Sequence, residues 1–388
     1  MSRKKIVVLL SRFPFPLYKG DKLRAYHQIT TLSKHADVYL IALSDENITE
    51  NSLLALQPFC KDIKIFRLSL LSRLYHSLFA LIKMWPLQLG YFYNHKIQKA
   101  IHHDIQRIEP DVVYAQLART YFYIKDIKFK KVLDFQDCFS ENYRRLSMTS
   151  NWFKANFYRV ESKRLSKIEK EILDTFDNTT IISKRDQLML PPSEKSCTIV
   201  SNGVDESFFT SPQLDKKYDI LFVGNLSYEP NIQAVSYLAQ HIVPLLLVEF
   251  PLLKVAIVGA SPSQKIISLA NKNVQIVGFV EDVKMYYAAS KVFVAPIFSG
   301  GGLQNKILEA MAIGLPCVTT PLVNESLHAQ EGKEILVADT ALDFCNKIKL
   351  LLVDTAISDA ISKQAKQKMM HEYRWEEVNK TLLEVLLN

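Results

Sequence analysis

Glycine and proline are scarce, 11 and 15 of 388 residues, which excludes a fibrous repeat and a low-complexity chain. Cysteine is scarcer still. Cys60, Cys138, Cys197, Cys317 and Cys345 are odd in number, and no two stand at metal-ligand or redox spacing. No disulfide framework fits, and the pattern reads as reduced, mostly buried thiols of a cytosolic protein. Long apolar runs are missing too. The run at 6–10 is too short for the core of a signal peptide and reads as a first β-strand. The most apolar stretch, 68–89, is broken by Arg73, His76 and Lys83, so no spanning helix is expected. No solenoid-type repeat is visible.

What the chain does have is an ordinary globular balance, 48% hydrophobic and 23% charged, at a length that favours two domains. The formal net charge of +8 is unevenly spread. Residues 1–200 hold 32 Lys and Arg against 20 Asp and Glu, and residues 201–388 hold 16 against 20. The basic first half suits an anionic partner such as a membrane surface or an acidic substrate, or it is simply a solvated basic surface. It carries no nucleic-acid recognition motif. Within 68–89, Leu71, Leu74, Leu78, Leu81 and Trp85 recur at helical spacing, and Pro86 then stops the helix. That face either joins the core or touches a bilayer, with basic residues at the headgroups.

Short β-branched runs alternate with amphipathic segments. Candidate strands lie at 6–10, 38–43, 63–66, 112–115, 132–135, 180–182, 220–223, 255–258, 274–277, 292–295 and 317–319. They are almost continuously apolar, as strands of a parallel sheet are when helices cover both faces. The expected fold is α/β: two doubly wound, Rossmann-like parallel-sheet domains. The domains are expected at 1–200 and 201–372, with the break near Asn202-Gly203-Val204-Asp205. Residues 373–388 form a last amphipathic helix with Val378, Leu382 and Leu386 on one side.

Ligands of open parallel sheets bind beyond the carboxyl ends of the strands, and residues of the right kind stand there. They are Lys19-Gly20-Asp21-Lys22, Gly224-Asn225, Gly259-Ala260, Gly278-Phe279-Val280, and Ser299-Gly300-Gly301-Gly302 with Leu303-Gln304-Asn305-Lys306. Each glycine alone reads as a tight turn. The last segment is the most informative, because its glycines admit a close ligand and open a helix whose free N–H groups attract anions. Lys306 adds a full charge, and Glu309 at i+3 can accept hydrogen bonds from ribose hydroxyls. Gly301, Gly302 and Lys306 would then hold phosphates and Glu309 the ribose of a nucleoside diphosphate. The alternative is a surface Lys–Glu helix pair.

The stretch Leu308-Glu309-Ala310-Met311-Ala312-Ile313-Gly314-Leu315-Pro316 after the glycine turn resembles the fourth family of retaining glycosyltransferases, of GT-B architecture. So do Asn202-Gly203-Val204-Asp205, Val223-Gly224-Asn225-Leu226, Ile257-Val258-Gly259 and Gly278-Phe279-Val280 with Asp282. Arg12-Phe13-Pro14-Phe15-Pro16, Lys19-Gly20-Asp21-Lys22, Tyr228-Glu229-Pro230-Asn231 and Gly302-Leu303-Gln304-Asn305-Lys306 are similar to a bacterial subgroup associated with exopolysaccharide and exosortase loci.

The resemblance implies two domains facing across a cleft, a nucleotide-sugar donor on the second, the acceptor on the first, and the last helix crossing back. It also implies a metal-independent hexosyl transfer with the nucleotide sugar as co-substrate and no cofactor, and no Asp-x-Asp motif is present. The implied donor-site residues are Gly20, Gly224, Asn225, Gly278, Phe279, Val280, Gly301, Gly302, Leu303, Gln304, Lys306 and Glu309. Three departures stand out. Gly301 replaces the first of two glutamates spaced by eight, and Asn225 and the pair Pro230-Asn231 stand where the family often has Arg and Lys. Gln136 or Asp137 stands where it often has His. Lys306 is then the main cation for a leaving diphosphate, with Lys184, Arg185 and Lys19 in reserve. Asp137 either binds or deprotonates an acceptor hydroxyl, or caps a helix.

The expected function is retaining transfer to a lipid-linked or polysaccharide acceptor in cell-surface glycan synthesis, at the cytoplasmic face of an anionic membrane. The rivals are a nucleotide-sugar epimerase of the same architecture and a weakly catalytic nucleotide-sugar-binding protein.

Overall fold

The computed structural model describes residues 3–210, 212, 214–300 and 302–388. The chain divides into two compact units, Met1–Ser201 with Val378–Asn388, and Asn202–Glu377.

The first unit is built on seven strands: β1 (Lys5–Leu10), β2 (Asp37–Ser44), β3 (Asp62–Arg67), β4 (Val112–Gln116), β5 (Lys130–Asp134), β6 (Asn178–Ile181) and β7 (Cys197–Ile199). They lie in the order β3-β2-β1-β4-β5-β6-β7, every pair parallel. The continuous apolar runs follow from burial on both faces. Ile6, Val8 and Leu10 point to one core, with Ala25, Ile29 and Leu32 of helix Gly20–His35 and with Val378, Leu382 and Leu386. Val7 and Leu9 point to the other, with Ile101, Ile105, Leu165 and Ile172 from two further helices.

The second unit has β8 (Tyr218–Val223), β9 (Val255–Val258), β10 (Val274–Gly278), β11 (Ser290–Ala295), β12 (Cys317–Thr319) and β13 (Leu336–Val337), in the parallel order β10-β9-β8-β11-β12-β13. All eleven expected strands are present. The two that the sequence did not announce, β7 and β13, are edge strands of three and two residues, too short to make an apolar run. In each sheet the strand order reverses at one place, between β1 and β4 and between β8 and β11, and such switch points open a crevice at the carboxyl ends.

The first unit holds a buried polar network beneath its switch point. The Arg24 guanidinium, 1% exposed, donates to both oxygens of Asp134 (2.6 and 3.2 Å) and to the carbonyls of Val200 and Ser201. Thr180 and Tyr114 also donate to Asp134, and Tyr114 reaches Gln28. One carboxylate thus ties helix Gly20–His35 to β4, β5 and β6.

The helix expected within 68–89 runs from Leu70 to Ile82. Its leucines do not enter the core: Leu71 is 80% exposed and Leu78 63%, with Leu74, Leu81, Tyr75 and Ile82 also outside. Trp85 corrects the expected face. Met84 takes a positive φ (55°) just after the helix, and the chain turns Trp85 inward to stack on Phe122 at 4.0 Å between ring centroids. The helix ends four residues before Pro86, so the proline does not stop it. A second apolar group, with Trp152 and Phe153 most exposed and Met148, Phe157 and Val160 beside them in sequence, also faces outward in this unit.

Removing one partner of a buried ion pair leaves an uncompensated charge, at a cost of about 3–5 kcal/mol. Asp134→Ala is expected to lower the unfolding free energy of the first unit by that amount, read from the midpoint of urea denaturation. A loss below about 1 kcal/mol would show that the network does not hold the unit together.

Candidate functional site

At the switch point of the second unit, β8 ends in Val223 and the loop Gly224-Asn225-Leu226 follows. This loop packs on its neighbour so tightly that glycine is required twice. A Cβ on Gly259 would lie 1.7 Å from the Gly224 carbonyl oxygen, and one on Gly224 would lie 2.9 Å from Asn231 Nδ2. Backbone bonds from Gly224 to Val258 (3.0 Å), Leu226 to Ala260 (2.9 Å) and Gly259 to Gly278 (2.8 Å) hold three loops in one layer. β11 ends in Ala295, and its loop reaches the helix Asn305–Ile313 through Gly300 and Gly302, both at positive φ (99° and 75°). Gly301 lies outside the described residues. Gln304, at the N-cap, offers the helix no side-chain acceptor.

Asn231 joins the two loops. It is buried, its amide nitrogen donates to the Asn225 carbonyl (2.8 Å), and its amide oxygen accepts from Lys306 Nζ. The Lys306 ammonium also lies 5.2 Å from the centre of the Phe222 ring. Lys306 is therefore held by Asn231 across the switch point, and it is only partly exposed. Burial pushes its pKa down to about 7, opposed by the charge of Glu309. Glu309 is also partly buried, and its carboxylate accepts from the Tyr287 hydroxyl (3.0 Å), itself buried and 3.1 Å from the Lys306 carbonyl. Burial pushes Glu309 up to about 7, with the Tyr287 bond and Lys306 pulling it down. The alternative of a solvated Lys–Glu surface pair does not describe two side chains held by separate buried partners.

The other expected residues are distributed as follows. Leu303 packs partly buried against the core of this unit, as does Val280, while Phe279 is 56% exposed at the end of edge strand β10. Gly278 has φ +83° and open space where a Cβ would go. Gly20 and Asp137 belong to the first unit, as do Lys19, Lys184 and Arg185. Gly20 begins helix Gly20–His35. Asp137 does not cap a helix: the N-cap position is Cys138, and Glu169 accepts from the Ser140 N–H (2.9 Å) in that role. Among the described residues no side chain pairs with the Asp137 carboxylate. Burial, then Asp186 and Asp134, push it up to about 7 against the pull of Arg24. It follows Gln136, which adopts a positive φ (62°) at the carboxyl end of β5.

Asn231 and Tyr287 are the residues that the sequence did not single out for roles. Asn231 stood in a quoted motif, but only as the absence of a lysine. A hydroxyl in the otherwise apolar core before β11 was the single hint of Tyr287. A hollow of this unit bordered by Lys216, Ala288, Gly314, Asp359 and Lys363 lies at the amino ends of β8 and β11, opposite the crevice.

Gly259→Ala is expected to destabilise the second unit, because a backbone carbonyl cannot move aside as a side chain can. Overpacking of this kind costs about 1–3 kcal/mol or more, and thermal unfolding would register it. An unchanged melting temperature would mean that the three-loop layer is not the close-packed unit described.

Residues 217–354, most of the second unit, match the family described as Glycosyl transferases group 1. Over 367 residues the chain is 25% identical to a Klebsiella pneumoniae protein described as an uncharacterized 44.6 kDa protein in the cps region, covering 89% of this chain and 90% of that one. Sucrose-phosphate synthase from Thermosynechococcus elongatus superimposes with a TM-score of 0.74 at 14% identity, over 99% of this chain and 98% of its own. Anabaena HepE, solved in complex with UDP-glucose, gives 0.70 at 16% identity, over 98% and 99%. The fold is thus GT-B, two Rossmann-like parallel-sheet domains, and the second of them carries the group 1 match.

Proposed function

We propose that this protein is a retaining glycosyltransferase. It takes a sugar from a nucleotide-sugar donor bound by the second unit and passes it to a glycan acceptor bound by the first. The observation that carries this reading is Lys306, fixed by Asn231 at the switch point beside a glycine turn and a helix N-terminus, with Glu309 one turn on. A nucleoside diphosphate meets every group there: phosphate oxygens on the helix N–H groups and Lys306, ribose hydroxyls on Glu309. That HepE binds UDP-glucose supports a donor of this class. The Klebsiella relative's place in a cps region supports cell-surface polysaccharide synthesis.

In the reaction the glycosidic bond to the diphosphate breaks and negative charge grows on the leaving oxygens. Lys306, itself partly buried, neutralises that charge where a charge acts more strongly than in open solvent. Asp137, with its carboxyl poised near neutrality, takes up the acceptor hydroxyl proton. The nucleotide sugar is a co-substrate, and the reading calls for no further cofactor.

The first unit also docks on the cytoplasmic face of an anionic membrane. No described helix is long and apolar enough to cross one. The exposed leucines of helix Leu70–Ile82 lie in the half of the chain where basic residues outnumber acidic ones by 32 to 20, the pairing that suits an interfacial helix.

Lys306→Ala is expected to reduce transfer about tenfold to a hundredfold, since a charge-assisted contact contributes roughly 1.5–3 kcal/mol. The pH dependence separates charge from shape. Bound phosphates raise the pKa of Lys306 from about 7, so binding takes up a proton above that pH, and diphosphate affinity falls as pH rises from 7 towards 9. Lys306→Arg, always charged, should flatten this fall in titration calorimetry. Near-normal turnover of Lys306→Ala, or a wild-type affinity that rises over this range, would overturn the assignment.

For the membrane, sedimentation with vesicles is expected to require anionic lipid and to weaken with salt. Leu74→Ser with Leu78→Ser should remove the part that salt does not reach. Indifference to anionic vesicles at low salt would leave a soluble acceptor as the better reading.

A further inference from the structure

At the switch point of the first unit one guanidinium has no ion-pair partner among the described residues. Arg119 follows β4, just after Leu117, which adopts a positive φ (66°). Its guanidinium lies against the rings of Phe92 (4.8 Å) and Phe139 (5.4 Å), and Arg12, from the loop after β1, lies 5.8 Å from the same Phe92 ring. Arg12 pairs with Asp21 (3.0 Å), but among the described residues Arg119 makes no ion pair, and its Nη1 is buried with no hydrogen-bond partner.

What fills its fork is neutral. With the amide of Gln88 oriented to satisfy both groups, the amide oxygen accepts from Arg119 Nε (2.7 Å) and Nη2 (2.5 Å). A carboxylate or phosphate oxygen occupies that position in a bidentate pair. Burial, and then the charge of Arg12, push Arg119 down to about 10 against the pull of Asp21, Tyr143 and Asp137, so it keeps its proton at neutral pH while two guanidinium groups crowd one ring. Gln88 is also part of the wall of a groove, with Ser77, Leu87, Tyr91 and Tyr143. Ser77 comes from the exposed apolar helix Leu70–Ile82, and Tyr143 from the helix Phe139–Thr149, which leads to Trp152 and Phe153. Gln88 thus borders both the groove and the Arg119 fork, and the groove takes one wall residue from the exposed apolar helix.

We propose that the Arg119 fork, with Arg12 beside it, seats a phosphate group of an amphiphilic acceptor whose hydrocarbon lies in the groove, the phosphate oxygen replacing the Gln88 amide oxygen. This deepens the glycosyltransferase reading by naming the acceptor class, and it rests on that reading for the word acceptor.

The test is calorimetry on the full chain with octyl phosphate below its micelle concentration, octyl glucoside, and inorganic phosphate, beside a nucleoside diphosphate. The wild type is expected to bind one octyl phosphate at least tenfold more tightly than either of the other two small probes. Arg119→Gln should lose tenfold or more of that affinity. Gln88→Glu, which keeps the arginine and fills its fork with a fixed carboxylate, should lose as much while melting at a higher temperature. Both variants should bind the nucleoside diphosphate as the wild type does. Octyl phosphate affinity unchanged in the two variants would overturn the proposal. Equal binding of octyl glucoside would remove the phosphate from it, and equal binding of inorganic phosphate would remove the hydrocarbon. If Arg119-dependent binding appears but no nucleoside diphosphate binds, the donor reading falls and the anion seat stands.

Discussion

Every strand in both sheets runs parallel to its neighbours, so each strand delivers the loop that follows it to one edge. A parallel pair also needs a crossover, and right-handed crossovers put helices on both faces. The strands must then be apolar on both sides, and chemistry is pushed out to the carboxyl ends. The order of strands adds the second condition. Where successive crossovers leave in opposite directions, between β1 and β4 and between β8 and β11, adjacent loops part and leave room. Lys306 and Asn231 stand at one such place, Arg12 and Arg119 at the other, and the close glycine contact of Gly224 with Gly259 keeps the wall of the first in line.

Beneath these edges the two units treat buried charge differently from their mouths. Arg24 and Asp134 answer each other fully, with Thr180 and Tyr114 completing the carboxylate's bonds. At the mouths, burial shifts Lys306, Glu309 and Asp137 towards neutrality. A group in that state is costly for the empty protein and useful to a ligand, because a partner of the right charge restores its ionisation. Perturbed groups of this kind gather at functional places more than elsewhere.

Much of this was legible in the chain. Strands β1 to β6 and β8 to β12 are visible as β-branched runs, because burial on both faces removes every polar interruption, and the glycines after them mark where backbones meet. The cation of the second unit was legible too, since Lys306 sits on the first turn of a helix after three glycines. Asn231 was not, because an amide bridging two loops 75 residues apart has no local signature. Arg119 was not, for the same reason: its neighbours Gln88 and Phe92 come from one helix, about 30 residues before it, and Phe139 from another after it. The leucines of helix Leu70–Ile82 show the limit of periodicity. Spacing reveals that they share a face but not whether protein or something else covers it, and Trp85 left that face through a turn at Met84.

The last helix, Trp375–Leu387, begins in the second unit, yet Val378, Leu382 and Leu386 belong to the first unit's core, beside Ile29 and Leu32. The first unit is therefore discontinuous in sequence, with all of 202–377 intervening. On a ribosome, where domains fold in the order they emerge, its sheet is complete at β7, but the part of one core that Val378, Leu382 and Leu386 cover waits open while about 176 further residues are made. The second unit has no such debt and can close first. For this chain the order of synthesis and the order of completion are reversed, and the interval between them is when the exposed β1 and helix Gly20–His35 surface most needs a chaperone.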